Sequence, residues 1–204
     1  MPAIKLYGTA LSRAARSLIA LEELGLAYEH IPLKPRPGTQ DREFLQTINP
    51  NLHVPVLEHD GLIVWESMAI NFFLGDLYGG PLWPKTAQER AAMYQWSIWA
   101  QTEMDRRDWE SVRRSGDAQR IADVLQQKVA TLRVLDAALD RGYLLGETFS
   151  FADLNVASSL SQPNEGGKID WQRVDPAEFG LQRLADWLRR CTSRDSWRAV
   201  GRLQ

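Results

Sequence analysis

Two hydrophobic periods divide the chain. Up to about position 78, short alternating runs are interleaved with helical ones, and beyond position 86 only the helical period persists. Ile4-Lys5-Leu6-Tyr7 alternates as a short strand. Gly8 to Ser12 then leads into a helix whose apolar face is Ala15, Leu18, Ile19, Leu21 and Leu24, stopped by Gly25. Tyr28 to Leu33 alternates again, which predicts a βαβ start with parallel strands and a right-handed crossover. Lys34 to Asp41 reads as a loop, Glu43 to Ile48 as a short helix, and Asn49-Pro50-Asn51 as its stop. Val54 to Leu57 and Leu62 to Val64 make a hairpin about Asp60-Gly61. Glu66-Ser67 then opens a helix-periodic run through Met68, Ile70, Phe72, Phe73, Leu74 and Leu77.

Gly79-Gly80-Pro81-Leu82-Trp83-Pro84 breaks all periodicity and reads as a linker. A long helix is predicted from Gln88 to about Val112, with Met93, Trp96, Trp99 and Ala100 toward one side, and another from Ala118 to Leu139. Ser150 and Asp153 have the spacing of a capping box, with Phe149 and Leu154 placed to staple it, and are assigned to structure. Further helices are expected over Ala177 to Arg190 and Asp195 to Val200, with a polar loop from Gln162 to Pro176. The expected architecture is an α/β N-terminal domain over 1–78 in the order β-α-β-α-β-β-α, a linker over 79–86 and an all-helical C-terminal domain over 87–204.

The hairpin is where chemistry concentrates. Pro55 lacks a ladder N–H and so belongs at an edge or a strand's first residue. A cis Val54-Pro55 bond, which X-Pro allows at modest cost, turns the backbone groups of Val54 outward, where they can pair with an extended peptide. The free N–H groups at the Ser67 helix start attract a carboxylate, the Ser67 hydroxyl adds a donor, and Glu66 can accept from an ammonium. An amino-acid head group carries both charges.

Composition narrows the classes. At 204 residues, 44% hydrophobic and 25% charged, the chain can bury a sizeable core, and its formal charge of −2 gives no broad attraction to nucleic acid or anionic membrane. No apolar run reaches the ~18 residues of a membrane span or resembles a signal peptide core, so a cytoplasmic protein is expected. Cys191 is the one cysteine, which excludes an internal disulfide and a Cys-x-x-Cys motif, and it reads as a buried structural thiol. The three histidines, His30, His53 and His59, lack metal-ligand spacing, and no metal is expected.

Val-Pro, a hairpin and then Glu66-Ser67-Met68-Ala69-Ile70 resemble the glutathione site of cytosolic glutathione S-transferases, and the resemblance covers nearly the whole chain. It implies the thioredoxin-like plus helical fold, glutathione as a substrate and no metal cofactor. It also implies a small electrophile as second substrate, held between the halves, and a homodimer. Val54 and Pro55 would receive the cysteinyl unit, Glu66 and Ser67 the γ-glutamyl end, and His53 the glycine carboxylate. Gln40 and Lys34 lie near in the loop.

Free thiols ionise near 8.5, so a donor must stabilise the thiolate at neutral pH. Ser12 is the preferred candidate, since Ser12-Arg13-Ala14-Ala15-Arg16 resembles the serine-type, theta-like and related bacterial branches. Tyr7 is the alternative, resembling the tyrosine of the alpha, mu and pi branches. Arg13-Ala14 departs from serine-type members in which proline often follows. Leu11, Met104 and Arg107 are the candidates for the electrophile pocket. A non-catalytic ligand carrier or interaction module of the same fold is the rival reading, and a glutathione-dependent isomerase or peroxidase a third.

Overall fold

The computed structural model describes residues 3–104, 112, 114–163, 168 and 175–203. The first unit is built on strands β1 (Ile4–Tyr7), β2 (Glu29–Ile31), β3 (Val56–His59) and β4 (Leu62–Trp65), with helices α1 (Ala14–Glu23), α2 (Gln40–Ile48) and α3 (Ser67–Tyr78). The sheet order is β2-β1-β3-β4. β1 pairs parallel with β2, whereas β3 is antiparallel to both β1 and β4. This is the expected β-α-β-α-β-β-α order. The hairpin turns on Asp60 and Gly61 at φ 49° and 85°, the paired left-handed conformations that suit a two-residue loop.

Period-2 alternation separates the faces of the sheet. Tyr7 and Val56, paired across β1 and β3, form a cluster with Leu33 and Leu45 that Ile48 and Ile63 extend. Leu6 and Leu57, the next pair, are fully buried, and every residue of α1 from Ala14 to Leu21 is buried. α2 begins three residues earlier than expected, because the Thr39 side chain caps it by accepting from the Arg42 N–H. Gln40 is therefore the first helical residue rather than part of the loop.

The linker forms a short 3-10 turn, Gly80–Leu82, and Trp83 lies so close to Gly75 that a Cβ there would fall 2.2 Å from its ring. The second compact unit, Pro84–Arg194, contains α4 (Ala87–Glu103), α5 (Ala118–Ala138), α6 (Phe151–Leu160) and α7 (Gln182–Thr192). A reciprocal Thr86–Glu89 box starts α4. The extension of that helix toward Val112 falls largely outside the described residues.

The helix expected over Ala177 to Arg190 is two elements. A 3-10 turn, Pro176–Phe179, ends where Gly180 turns left-handed at φ 73°, and α7 starts after it. Cys191 is fully buried in this unit.

Asp153 is fully buried and receives four donors: Leu144 N–H (2.9 Å), Trp187 Nε1–H (2.8 Å), Ser150 N–H (2.9 Å) and Ser150 Oγ–H (2.8 Å). Burial lifts its pKa, while the donors oppose the rise. Phe149 meets Tyr143 edge-on and the guanidinium of Arg194.

The chain after Arg194 returns to the compact first unit. α8 (Asp195–Gly201) packs on α1, with Trp197 and Val200 buried and Ser196 Oγ donating to Glu23. The compact first unit is thus Met1–Trp83 with Asp195–Gln204. A sequence period locates a helix but not the surface it covers, and α1 needed cover on a second side.

Candidate functional site

Three segments of the first unit meet around Gly8. Its φ is 127°, and a Cβ on it would lie 2.9 Å from both Ala14 Cβ and Val54 Cβ. The start of α1 and Val54 can therefore both close on position 8 only because it has no side chain. Gly8 is also tied to β2 at both ends, its N–H donating to the Ile31 carbonyl (2.9 Å) and its C=O facing His30 Nε2 (2.8 Å).

The Val54-Pro55 bond is cis. Among the described residues, neither the N–H nor the C=O of Val54 meets a hydrogen-bonding partner. Pro55 is buried beneath it, and His53 is exposed on the preceding loop. That loop is shaped by Asn49, only 2% exposed, whose Nδ2 donates to the His53 carbonyl (2.8 Å) and whose Oδ1 accepts from the Asn51 N–H (3.0 Å).

Glu66, the residue preceding α3, sits at φ 71° and ψ 117°. A non-glycine residue held there carries backbone strain of about 1–3 kcal/mol. Its side chain is exposed and its carboxylate has no partner among the described residues. Ser67 follows at 1% exposure, its Oγ accepting from Arg16 Nη1 at 3.0 Å.

Ser12 is half-buried. Its hydroxyl donates to the Thr9 carbonyl (2.7 Å) and accepts from the Ala14 N–H (3.1 Å), so it caps the turn before α1. Tyr7 is oriented elsewhere. It is buried, its O–H donates to Glu58 Oε2 (2.7 Å), and burial followed by that bond pushes its pKa up to about 12. The Tyr7 hydroxyl, and next to it the Lys5 ammonium, hold Glu58 below the usual carboxylate range.

Of the other candidates, Gln40 is exposed at the start of α2 and Leu11 is 69% exposed beside Ser12. Met104 is buried at 3% exposure in the second unit. Arg107 lies outside the described residues, as do Arg106 and Trp109. Among the described residues no cluster of His, Cys, Asp and Glu has the arrangement of a metal site, and no helix is long and apolar enough to cross a membrane.

Sequence reading passed over Arg16, Gly8, His30 and Asn49. A signal for Arg16 was present: a charged residue stands inside Ala14-Ala15-Arg16-Ser17-Leu18-Ile19, a stretch that is otherwise apolar or small.

Comparison with known proteins agrees with this geometry. Residues 2–76 match the glutathione S-transferase N-terminal domain and residues 90–195 the C-terminal domain. A 75-residue segment is 44% identical to a glutathione S-transferase of Hypomyces subiculosus, covering 37% of this chain and 35% of that protein. The chain thus spans about a third of that relative's length. Glutathione S-transferase theta-1 of Mus musculus is 26% identical over 202 residues, 92% of this chain and 81% of the relative. A crystal structure of the theta class glutathione S-transferase from Xanthomonas axonopodis pv. citri, with glutathione bound, is 29% identical, covers 98% of this chain and 97% of that one, and gives a TM-score of 0.74. With a thioredoxin-like unit, a helical unit and both family domains matched along its length, the chain belongs to the glutathione S-transferase family.

Proposed function

We propose that the protein binds reduced glutathione on its first unit and conjugates it to small hydrophobic electrophiles. The observation that carries this reading is the juxtaposition of two backbone features. Val54 presents an unpaired N–H and C=O, and the start of α3 presents free N–H groups beside Glu66 and Ser67. An extended peptide ending in an α-amino acid matches both: its middle pairs with Val54, its ammonium with Glu66, and its carboxylate with the helix start. His53, exposed on its loop, and Gln40, exposed at the start of α2, are the proposed partners of the glycine end.

Ser12 is the proposed thiolate donor. The Tyr7 hydroxyl already spends its one donated hydrogen bond on Glu58, which supports the serine. In the described state Ser12 donates to the Thr9 carbonyl, and a thiolate, carrying full charge, is the stronger acceptor. The same hydrogen bond favours a second reading, a glutathione-binding carrier in which Ser12 stays with Thr9. Leu11, exposed beside Ser12, is proposed to contact the electrophile. A cytoplasmic homodimer fits the exposed Leu62 and Trp65 of edge strand β4, which a second copy would cover.

Calorimetric titration of glutathione, with turnover of a chloro-nitrobenzene by wild type, Ser12→Ala and Tyr7→Phe, tests this. The expected result is binding by all three and a 10- to 100-fold loss of turnover, about 1.4–2.7 kcal/mol, in Ser12→Ala alone. Binding without turnover of any electrophile makes the protein a carrier, and absence of binding ends the glutathione reading.

A further inference from the structure

We propose that Arg16 is a positioning residue for the α-carboxylate of the γ-glutamyl unit, acting through Ser67. The inference rests on the glutathione reading above and adds a residue to it. α1 and α3 meet along a polar seam inside an otherwise apolar contact. Arg16 Nη1 donates to Ser67 Oγ (3.0 Å), Ser17 Oγ donates to the Ser67 carbonyl (3.4 Å), and Asn71 Nδ2 donates to the Arg16 carbonyl (3.4 Å). All four residues are buried, Arg16 at 6% and Ser67 at 1% exposure.

Burying a guanidinium is costly, so its placement demands a use. By occupying a lone pair of Ser67 Oγ, Arg16 removes that oxygen as an acceptor on its own side and leaves the hydroxyl proton to point away. Among the described residues the Ser67 hydroxyl donates to no acceptor. Its proton is therefore held ready at the first residue of α3, where the helix's own N–H groups are also unsatisfied. A donor that itself accepts from a cation is polarised and binds an anion more strongly than a lone serine does. A carboxylate is the group that completes this relay, and an ammonium is the group it repels.

The test separates this role from simple structural support. Dissociation constants are measured calorimetrically for three tripeptides: glutathione, 4-aminobutyryl-cysteinylglycine, which lacks the α-carboxylate, and glutaryl-cysteinylglycine, which lacks the ammonium. The proteins are wild type, Arg16→Met, Ser67→Ala and the double variant. The quantity read is the preference of each protein for glutathione over the carboxylate-free peptide, a ratio that cancels any change in folded fraction.

Arg16→Met and Ser67→Ala are each expected to lower that preference about tenfold or more, the scale of one charge-assisted hydrogen bond. The double variant is expected to fall no further than Ser67→Ala, and affinity for glutaryl-cysteinylglycine to fall in parallel with glutathione. If Arg16→Met does not accumulate folded, Arg16→Gln, which keeps a donor but removes the charge, takes its place, and an unchanged preference in that variant or in Ser67→Ala overturns the relay. An equal loss for all three peptides also overturns it and leaves glutathione binding intact. Failure of wild type to bind glutathione overturns both readings, so the two failures are distinct.

Discussion

The Tyr7 hydroxyl donates a hydrogen bond to Glu58 at 2.7 Å across the β1–β3 pair, on the sheet face shared with Leu33 and Leu45. The phenol is raised to about 12 from its ordinary value of 10, first by burial and then by the carboxylate. A folded-state value above the unfolded one means that the fold prefers the protonated phenol. The associated stability is complete below pH 10 and is lost as the pH rises from about 10 to about 12. A difference titration of phenolate absorbance between wild type and Tyr7→Phe should place one tyrosine near the upper value. Tyr7→Phe should cost about 1–2 kcal/mol in urea unfolding and leave turnover unchanged.

Much of this was legible in the chain, and the gaps have physical causes. Ile4 to Tyr7 and the Asp60-Gly61 hairpin are local patterns, since alternation and turn chemistry suffice to specify them. Ser150 and Asp153 are equally local, three residues apart. Trp187 as a further donor to Asp153 lies 34 positions away and leaves no trace in any period. Arg16 was passed over because an apolar stripe directs attention to the residues that form it, whereas this arginine matters through Ser67, 51 positions on. The break at Gly180 was missed because apolar spacing carries across a left-handed residue unchanged.

Gly8→Ala should harm both stability and binding. Its methyl would meet Ala14 Cβ and Val54 Cβ at 2.9 Å from a backbone at φ 127°. The strain should cost about 1–3 kcal/mol, read as a lower urea midpoint. Glutathione affinity should also fall, because relief requires Val54 or the Ser12 loop to shift.

Removing the Asp153 side chain strands the indole N–H of Trp187 and the backbone N–H groups of Leu144 and Ser150. Asp153→Ala should destabilise the protein by about 3–4 kcal/mol. Asp153→Asn restores an acceptor on one side but turns an amide N–H₂ toward donors on the other, and should fall between Ala and wild type. Urea denaturation followed by far-ultraviolet circular dichroism would rank the three.

Trp197 is 1% exposed in α8. Trp197→Ala should cost about 3–5 kcal/mol, and the loss should register in α1. Hydrogen exchange of the amides from Leu18 to Leu21 is the measurement, with faster exchange expected there than in α6 or α7.

The return of α8 to α1 sets an order on how the protein can be made. α1 is translated before the whole helical unit, and the helix covering its second side only after it. Throughout synthesis the α1–α3 seam, with Arg16 and Ser67, must persist in a unit whose α1 is still bare on that side. The helical unit, encoded between the two parts, can complete its own core first. The first unit therefore starts before the helical unit and is completed after it, when α8 folds back onto α1.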